Sequence, residues 1–265
     1  MNLTSASHYT FGDNDVAAQR LERLAEAYSE STETFLRQFT PTVVSKAIDL
    51  GSGLGFSTRL LQKVTAARTV IGYERSPRYL DAARGRFPEL VFKNVDVLEP
   101  EFPDQDIDLI YSRFLLTHLH QPEKTVACCI HHLTQGGRLL LEELSDLRSS
   151  ITSLQTYYRL VGEMQTHYGQ ELYVGKRLHA IVEQARGCFV SSQQTPITLP
   201  AQTMARLHAM NIATWKSDAF MRASYGVPLL EQLEEELQGI ASRTDVLAPV
   251  TCLMAQVVAE RQAAS

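Results

Sequence analysis

The sequence predicts an α/β fold: a seven-stranded, mostly parallel sheet with helices on both faces, preceded by N-terminal helices and carrying a helical cap insertion. Three observations predict it. Seven β-rich runs punctuate the chain, the first five alternate with stretches of helical periodicity, and a glycine-rich turn joins the first run to the helix after it. Strands alternating with helices imply crossover connections and hence parallel pairing. A chain of 265 residues, 44% of them hydrophobic, buries a sizeable core without a disulfide framework or a structural metal.

Residues 16 to 39 carry Ala17, Leu21, Leu24 and Tyr28, then Phe35, Leu36 and Phe39, at helical spacing, with polar Ser29-Glu30-Ser31 between the two sets. This pattern predicts two helices. After Pro41 the predicted strands are Val43 to Asp49, Thr69 to Glu74, Leu90 to Asp96, Ile107 to Ser112 and Arg138 to Glu142, with helices over 57 to 67, 77 to 86 and 122 to 134. Gly136-Gly137 supplies the tight exit from the last helix into its strand. From Leu144 to about Arg186 the alternation gives way to a mainly helical stretch, read as an insertion over the sheet's edge. The run Cys188 to Leu199, helices over 201 to 223 and 227 to 242, and the apolar run Val250 to Val258 complete the sheet. The implied organisation is an N-terminal helical segment (1–40), a central core (41–145), a helical cap (146–187) and a C-terminal part that closes the sheet (188–265).

Composition narrows the partners. Lys and Arg total 25 against 30 Asp and Glu, without the basic face that a nucleic-acid backbone demands. Cys128, Cys129, Cys188 and Cys252 show no C-x-x-C spacing, and an adjacent pair does not easily bridge to itself, which suits a reducing compartment. Residues Met1 to His8 lack a basic and an apolar region, and nowhere do about 18 consecutive apolar residues occur. The expectation is a soluble, cytoplasmic protein with no nucleic-acid or membrane partner. His118, His120, Cys128, Cys129, His131 and His132 are of zinc-ligand type. Neighbours on a helix point in different directions, however, and helix 122 to 134 must bury an apolar face, so no metal is expected.

The strongest chemical signal is Asp49-Leu50-Gly51-Ser52-Gly53-Leu54-Gly55-Phe56, a buried strand running into a turn where backbone approaches a ligand closely. In a dinucleotide fold the pattern is G-x-G-x-x-G, the third glycine lying beside a pyrophosphate. Here Phe56 stands at that third position. About twenty residues on, Glu74 ends the second strand, where a carboxylate accepts both hydroxyls of a ribose. Asp96 ends the third at the same edge, where it can accept from an exocyclic amine. This set describes an adenosine site without a phosphate site.

These residues resemble the class I S-adenosylmethionine-dependent methyltransferases, in particular the small-molecule branch related to quinone-biosynthesis methylases. The resemblance spans about residues 43 to 143: the first motif at 49–55, Glu74, Asp96, the fourth-strand run Asp108-Leu109-Ile110-Tyr111-Ser112, and Leu133-Thr134-Gln135-Gly136-Gly137-Arg138-Leu139 leading to the fifth. It implies a Rossmann-like sheet and S-adenosylmethionine as cofactor. By resemblance, Gly51, Gly53 and Gly55 pass under its methionine portion, Glu74 holds the ribose, and Asp96 with Val97 flanks the adenine. Backbone at Ser112 and Arg113 receives the ammonium. Asp49 either touches the ligand or holds the turn.

Methyl transfer from a sulfonium needs alignment and exclusion of water above all; an acidic acceptor also needs a base. His118, after the fourth strand, resembles the histidine common there in this branch, and serves either as base or as a hydrogen-bonded helix residue. Tyr9 and Phe11 resemble an aromatic lead segment closing over the cofactor, Tyr9 orienting an acceptor; alternatively they pack on the first helix. Tyr28, Tyr158 and Trp215, with Tyr157, Tyr168, Tyr173 and Tyr225, present apolar faces with polar tips suited to an aromatic acceptor, or else belong to the core. Of Glu142 and Glu143, strand alternation aims one into the cleft. The leading expectation is methylation of oxygen or nitrogen, or of activated carbon, on a small, aromatic-type molecule by a monomer or homodimer. A methyltransferase for protein or RNA, a nicotinamide-dependent oxidoreductase and a non-catalytic relative are the alternatives.

Overall fold

The computed structural model describes residues 14–262, so Tyr9 and Phe11 lie outside the described residues. The first element, α1 (Asp15–Phe39), is one continuous helix where the sequence predicts two. Tyr28, Thr32, Phe35 and Leu36 keep the buried stripe in phase across the supposed break, and Ser29 and Glu30 lie on the exposed side. The Ser29 hydroxyl donates back to the Glu26 carbonyl at 3.0 Å, so Ser29 and Glu30 decorate a solvated face of an unbroken helix. Asn14 caps the start by accepting from the Ala17 N–H at 2.9 Å.

The chain then runs through β1 (Lys46–Leu50), α2 (Phe56–Thr65), β2 (Thr69–Glu74), α3 (Pro77–Arg86), β3 (Val91–Asn94), β4 (Ile107–Arg113), α4 (Pro122–His132) and β5 (Leu133–Arg148). It continues with α5 (Thr152–His167), α6 (Leu178–Glu183), β6 (Cys188–Leu199), α7 (Ala201–Trp215), α8 (Ala219–Tyr225), α9 (Val227–Ala241) and β7 (Val250–Arg261). The described residues form one seven-stranded sheet of order β3-β2-β1-β4-β5-β7-β6. The pairs among β1 to β5 are parallel, whereas β7 runs antiparallel between β5 and β6. β5 extends well beyond the predicted Arg138 to Glu142 because β7 pairs with it as far as Arg148↔Thr251. That extension carries the sheet past its neighbours and gives the cap a base.

Alternation divides the apolar residues between two faces. Ile48, Ile110, Leu139 and Val257 meet α4 and α6 on one side; Ala47, Leu109, Leu140 and Val258 meet α2 and the second half of α1 on the other. Leu178, Ile181 and Val182 share one stripe of α6 and bury it on the sheet, so the helical stretch read as a single insertion divides. α5 leaves the sheet face and packs with α7 and α9. Leu154, Val161, Met204, Leu207, Leu233 and Leu237 form that third core with Tyr28 and the Cys252–Met254 end of β7. The cap thus stands over the carboxyl ends of the parallel strands, where open α/β sheets bind their ligands. Among the described residues no helix is long and apolar enough to cross a membrane.

Candidate active site

Between the carboxyl ends of the strands and the cap lies a cleft of about 750 Å³. Its floor begins at the glycine turn. The N–H groups of Gly51 and Ser52 both donate to the Tyr73 carbonyl, at 2.9 and 3.0 Å, pinning the turn to β2. Gly53 stands at φ +52°, a left-handed conformation that disfavours a side chain, and a Cβ there would meet only Leu21 at 3.6 Å. It is an open cradle in the cleft wall. Gly55 differs: its φ is +84° and a Cβ would come 2.7 Å from the Phe92 ring. It does not line the cleft, so its proposed cofactor contact is corrected to a packing role at the start of α2.

Glu74 reaches across from β2. Its carboxylate accepts from the Gly53 N–H at 3.0 Å and the Ser76 N–H at 2.8 Å. A carboxylate offers about four acceptor sites, so sites beyond those two remain for hydroxyls. Burial raises its pKa against the opposing pull of backbone amides at Ser76, Gly53 and Arg75. Asp49, 1% exposed, accepts from the Ser57 and Thr58 hydroxyls at 2.7 and 2.6 Å. It therefore holds the first turn of α2 while also lining the cleft, and burial raises its pKa to about 6. Asp96 and Val97 line the adjoining wall; the Asp96 carboxylate accepts from the Leu98 N–H at 3.0 Å. The acceptor set suits an adenosine: an acid beside a bare glycine, then a second acid.

After β4 the structure departs from expectation in one place. Ser112 is fully buried, its hydroxyl donates to the Leu50 carbonyl at 3.2 Å, and it does not line the cleft. Arg113 does, and its guanidinium donates to the Thr32 hydroxyl at 2.8 Å. Phe114 next to it stands at φ +56°, a strained conformation for a bulky residue, with its ring edge-on to Tyr28 at 5.1 Å. His118 sits in the cleft wall. Burial, with the Arg20 and Arg75 charges, lowers its pKa to about 3, so it is neutral and weakly basic.

Alternation sends Glu142 and Glu143 to opposite faces. Glu142 accepts from the Tyr111 hydroxyl and the Gln256 amide, both at 2.7 Å. Glu143 lines the cleft: one oxygen accepts from the Leu116 N–H at 2.7 Å, and the other, buried, has no hydrogen-bond partner. Burial pushes its pKa to about 8.

Tyr28 lines the cleft as expected. Tyr158 and Trp215 do not: Trp215 is 2% exposed within the cap core, 6.1 Å from the ring of Tyr157, and Tyr158 packs edge-on to His208. Their aromatic stripe serves the cap's own core. The cap instead contributes Tyr157, Gln165, His208 and Asn211 to the cleft, and α1 contributes Arg20. Of these only Tyr157 stood out in the sequence. The available signal was polarity in the wrong place, since His208 and Asn211 fall on the buried stripe of α7 beside Met204, Leu207 and Ile212. Cys128 and His132 contact each other, but the His132 ring is engaged by the Cys128 carbonyl at 2.8 Å and the Phe102 N–H at 3.2 Å. Among the described residues no group of three or more His, Cys, Asp or Glu side chains is disposed to hold a metal ion.

Residues 48–141, the strands and turns that build the floor of this cleft, match a family model described as a methyltransferase domain. The match supports an S-adenosylmethionine-dependent methyltransferase of class I. Among curated relatives it is 29% identical over 140 residues to phosphoethanolamine N-methyltransferase of Plasmodium falciparum, covering 51% of this chain and 49% of that one. It is 32% identical over 122 residues to demethylmenaquinone methyltransferase of Tropheryma whipplei, covering 45% and 48%. Among solved structures it superposes on Haemonchus contortus phosphoethanolamine N-methyltransferase 2, in complex with phosphomonomethylethanolamine and S-adenosylhomocysteine, with a TM-score of 0.57. The identity there is 14%, and the match covers 93% of this chain and 58% of the other. The chain spans about half the length of the curated relatives it matches.

Proposed function

We propose that the protein transfers a methyl group from S-adenosylmethionine to an oxygen or nitrogen, or an activated carbon, of a small organic molecule enclosed between the sheet and the cap. The observation that carries this reading is the pairing of Glu74 with the bare Gly53 at the floor of a cleft that continues into a buried cap. Bound there, S-adenosylmethionine supplies a methyl group on a sulfonium, a good leaving group. Glu74 holds the ribose hydroxyls, Gly53 admits the methionine portion, and Asp96 with Val97 flanks the adenine. Leu21, Leu24 and Tyr28 of α1 roof the cleft and exclude water, which strengthens every charge interaction inside.

Where the acceptor must lose a proton, the role falls to Glu143 rather than His118. Its unpartnered oxygen is in the cleft wall, and a base with a pKa near the working pH is the effective one. The aromatic rings of Tyr28, Tyr157 and Phe114 favour a planar or aromatic acceptor. Phe56, where a dinucleotide turn would carry its third glycine, also lines the cleft and speaks against a pyrophosphate. Calorimetric titration with S-adenosylhomocysteine, with NADH as control, tests the reading. Binding of the former alone, lost in Glu74→Ala, is expected; binding of NADH alone would overturn it.

A further inference from the structure

Gln165 is fully buried on α5, and neither its amide nitrogen nor its amide oxygen has a hydrogen-bond partner. His208, 7% exposed on α7, has neither ring nitrogen partnered. Asn211, one turn further on, donates to the Tyr157 hydroxyl at 2.7 Å but leaves its own oxygen unpartnered. All three line the cleft. Folded proteins pair the large majority of such atoms, and these face a cavity, so this group points to a ligand that completes it. The Tyr157 ring, stacked on His208 at 4.0 Å, fixes the imidazole's plane.

Charge identifies the ligand's sign. Arg20, 6% exposed, is the one lysine or arginine that is buried among the described residues, and it lines the same cleft. The helix that carries it, α1, packs against α7, and its charge bears on His208 and Tyr157 of the cap as well as on His118, so it stands where the cap meets the strand ends. Val161, Leu172 and Leu207 make the surroundings apolar, where a charge acts with little screening. Burial and Arg20 hold His208 neutral, with its pKa lowered to about 3, so it keeps one N–H donor and adds no second cation.

Resting on the methyl-transfer reading above, we propose that the cap end of the cleft binds a carboxylate of the methyl acceptor. Arg20 supplies the charge, and Gln165 and His208 supply N–H donors. Asn211 accepts from a hydroxyl or amine on the same molecule. The acceptor is then a small organic acid and not a neutral quinol or phenol.

The cofactor carries a carboxylate too, and the experiment separates the two. Protein saturated with S-adenosylhomocysteine is titrated with 4-hydroxybenzoate, phenylacetate and glutarate, each beside its amide. At least one acid should bind tenfold or more tightly than its amide. Arg20→Gln and His208→Phe, the latter keeping the ring stack, should erase that preference without altering affinity for S-adenosylhomocysteine. Equal binding of acids and amides, or no acid binding, would overturn the proposal. So would an Arg20→Gln variant that loses S-adenosylhomocysteine but keeps 5′-methylthioadenosine, which lacks the carboxylate, because the charge would then serve the cofactor. Failure of the parent protein to bind S-adenosylhomocysteine at all would refute the methyl-transfer reading itself.

Discussion

Gly53 and Gly55, separated by a single leucine, divide ligand binding from packing at the scale of single residues. Gly53→Ala adds a Cβ that meets only Leu21 at 3.6 Å. It should fold, with a left-handed penalty of about 1–2 kcal/mol, and lose affinity for S-adenosylhomocysteine. Gly55→Ala drives a Cβ to 2.7 Å from the Phe92 ring and should cost about 1–3 kcal/mol of stability before affinity is affected; urea denaturation beside calorimetry distinguishes them. Glu74→Ala removes the ribose acceptor and should weaken S-adenosylhomocysteine by at least tenfold, about 1.4 kcal/mol. An unchanged affinity would refute that assignment. Glu143→Gln keeps the side chain's shape but removes the base. The parent's turnover should rise with pH through about 8, where the carboxyl ionises, and the variant's should be lower and flat across that range.

Elements are tied together by a polar relay as well as by apolar faces. The Tyr111 hydroxyl on β4 donates to Glu142 on β5, Gln256 on β7 donates to the same carboxylate, and Gln193 and Thr195 on β6 donate to Gln256, each at 2.7 Å. The relay crosses from the parallel strands to the antiparallel ones, where pairing geometry changes. Gln256→Leu leaves one oxygen of a buried carboxylate unpaired and strands two donors on β6, so a loss of about 1–3 kcal/mol is expected. Chemical denaturation measures it, and S-adenosylhomocysteine affinity should hold because Glu142 faces away from the cleft. α1 works at the same scale: its first half roofs the cleft and its second half buries Phe35 and Leu36 on the sheet, which one rigid helix couples and two separate helices would not.

For the molecule as a whole, opposite groups set the pH dependence of stability. His118 and His208 have pKa values lowered from 6.5 to about 3. Between those values the unfolded chain binds protons that the folded one refuses, so stability falls as pH drops from about 6.5 towards 3. Glu143 has its pKa raised from 4.5 to about 8; the folded chain keeps a proton that the unfolded one has released, so stability falls as pH rises through that window. Thermal melts from pH 4 to 9 should show both limbs. The melting temperature of Glu143→Gln relative to the parent should climb from about pH 4.5 to about 8 and then level off.

What the sequence determined by itself was the strand-end half of the cleft. The turn at 49–55, Glu74 and Asp96 were legible because parallel strands bring their carboxyl ends to one edge whatever covers them, and because backbone must come close at Gly51 and Gly53. The run Cys188 to Leu199 and the helix 77 to 86 were legible to the residue, since local periodicity and the Ser76-Pro77 start fix them. The tertiary structure alone decided the rest. Whether Ser29-Glu30-Ser31 broke a helix depended on which face met solvent, and the length of β5 depended on β7, more than a hundred residues away in the chain. The acceptor half of the cleft, Arg20, Glu143, Gln165, His208 and Asn211, comes from four separate elements of the fold, α1, β5, α5 and α7. Their spacing along the chain follows no shared period, and only packing of the cap on the sheet brings them to one cavity.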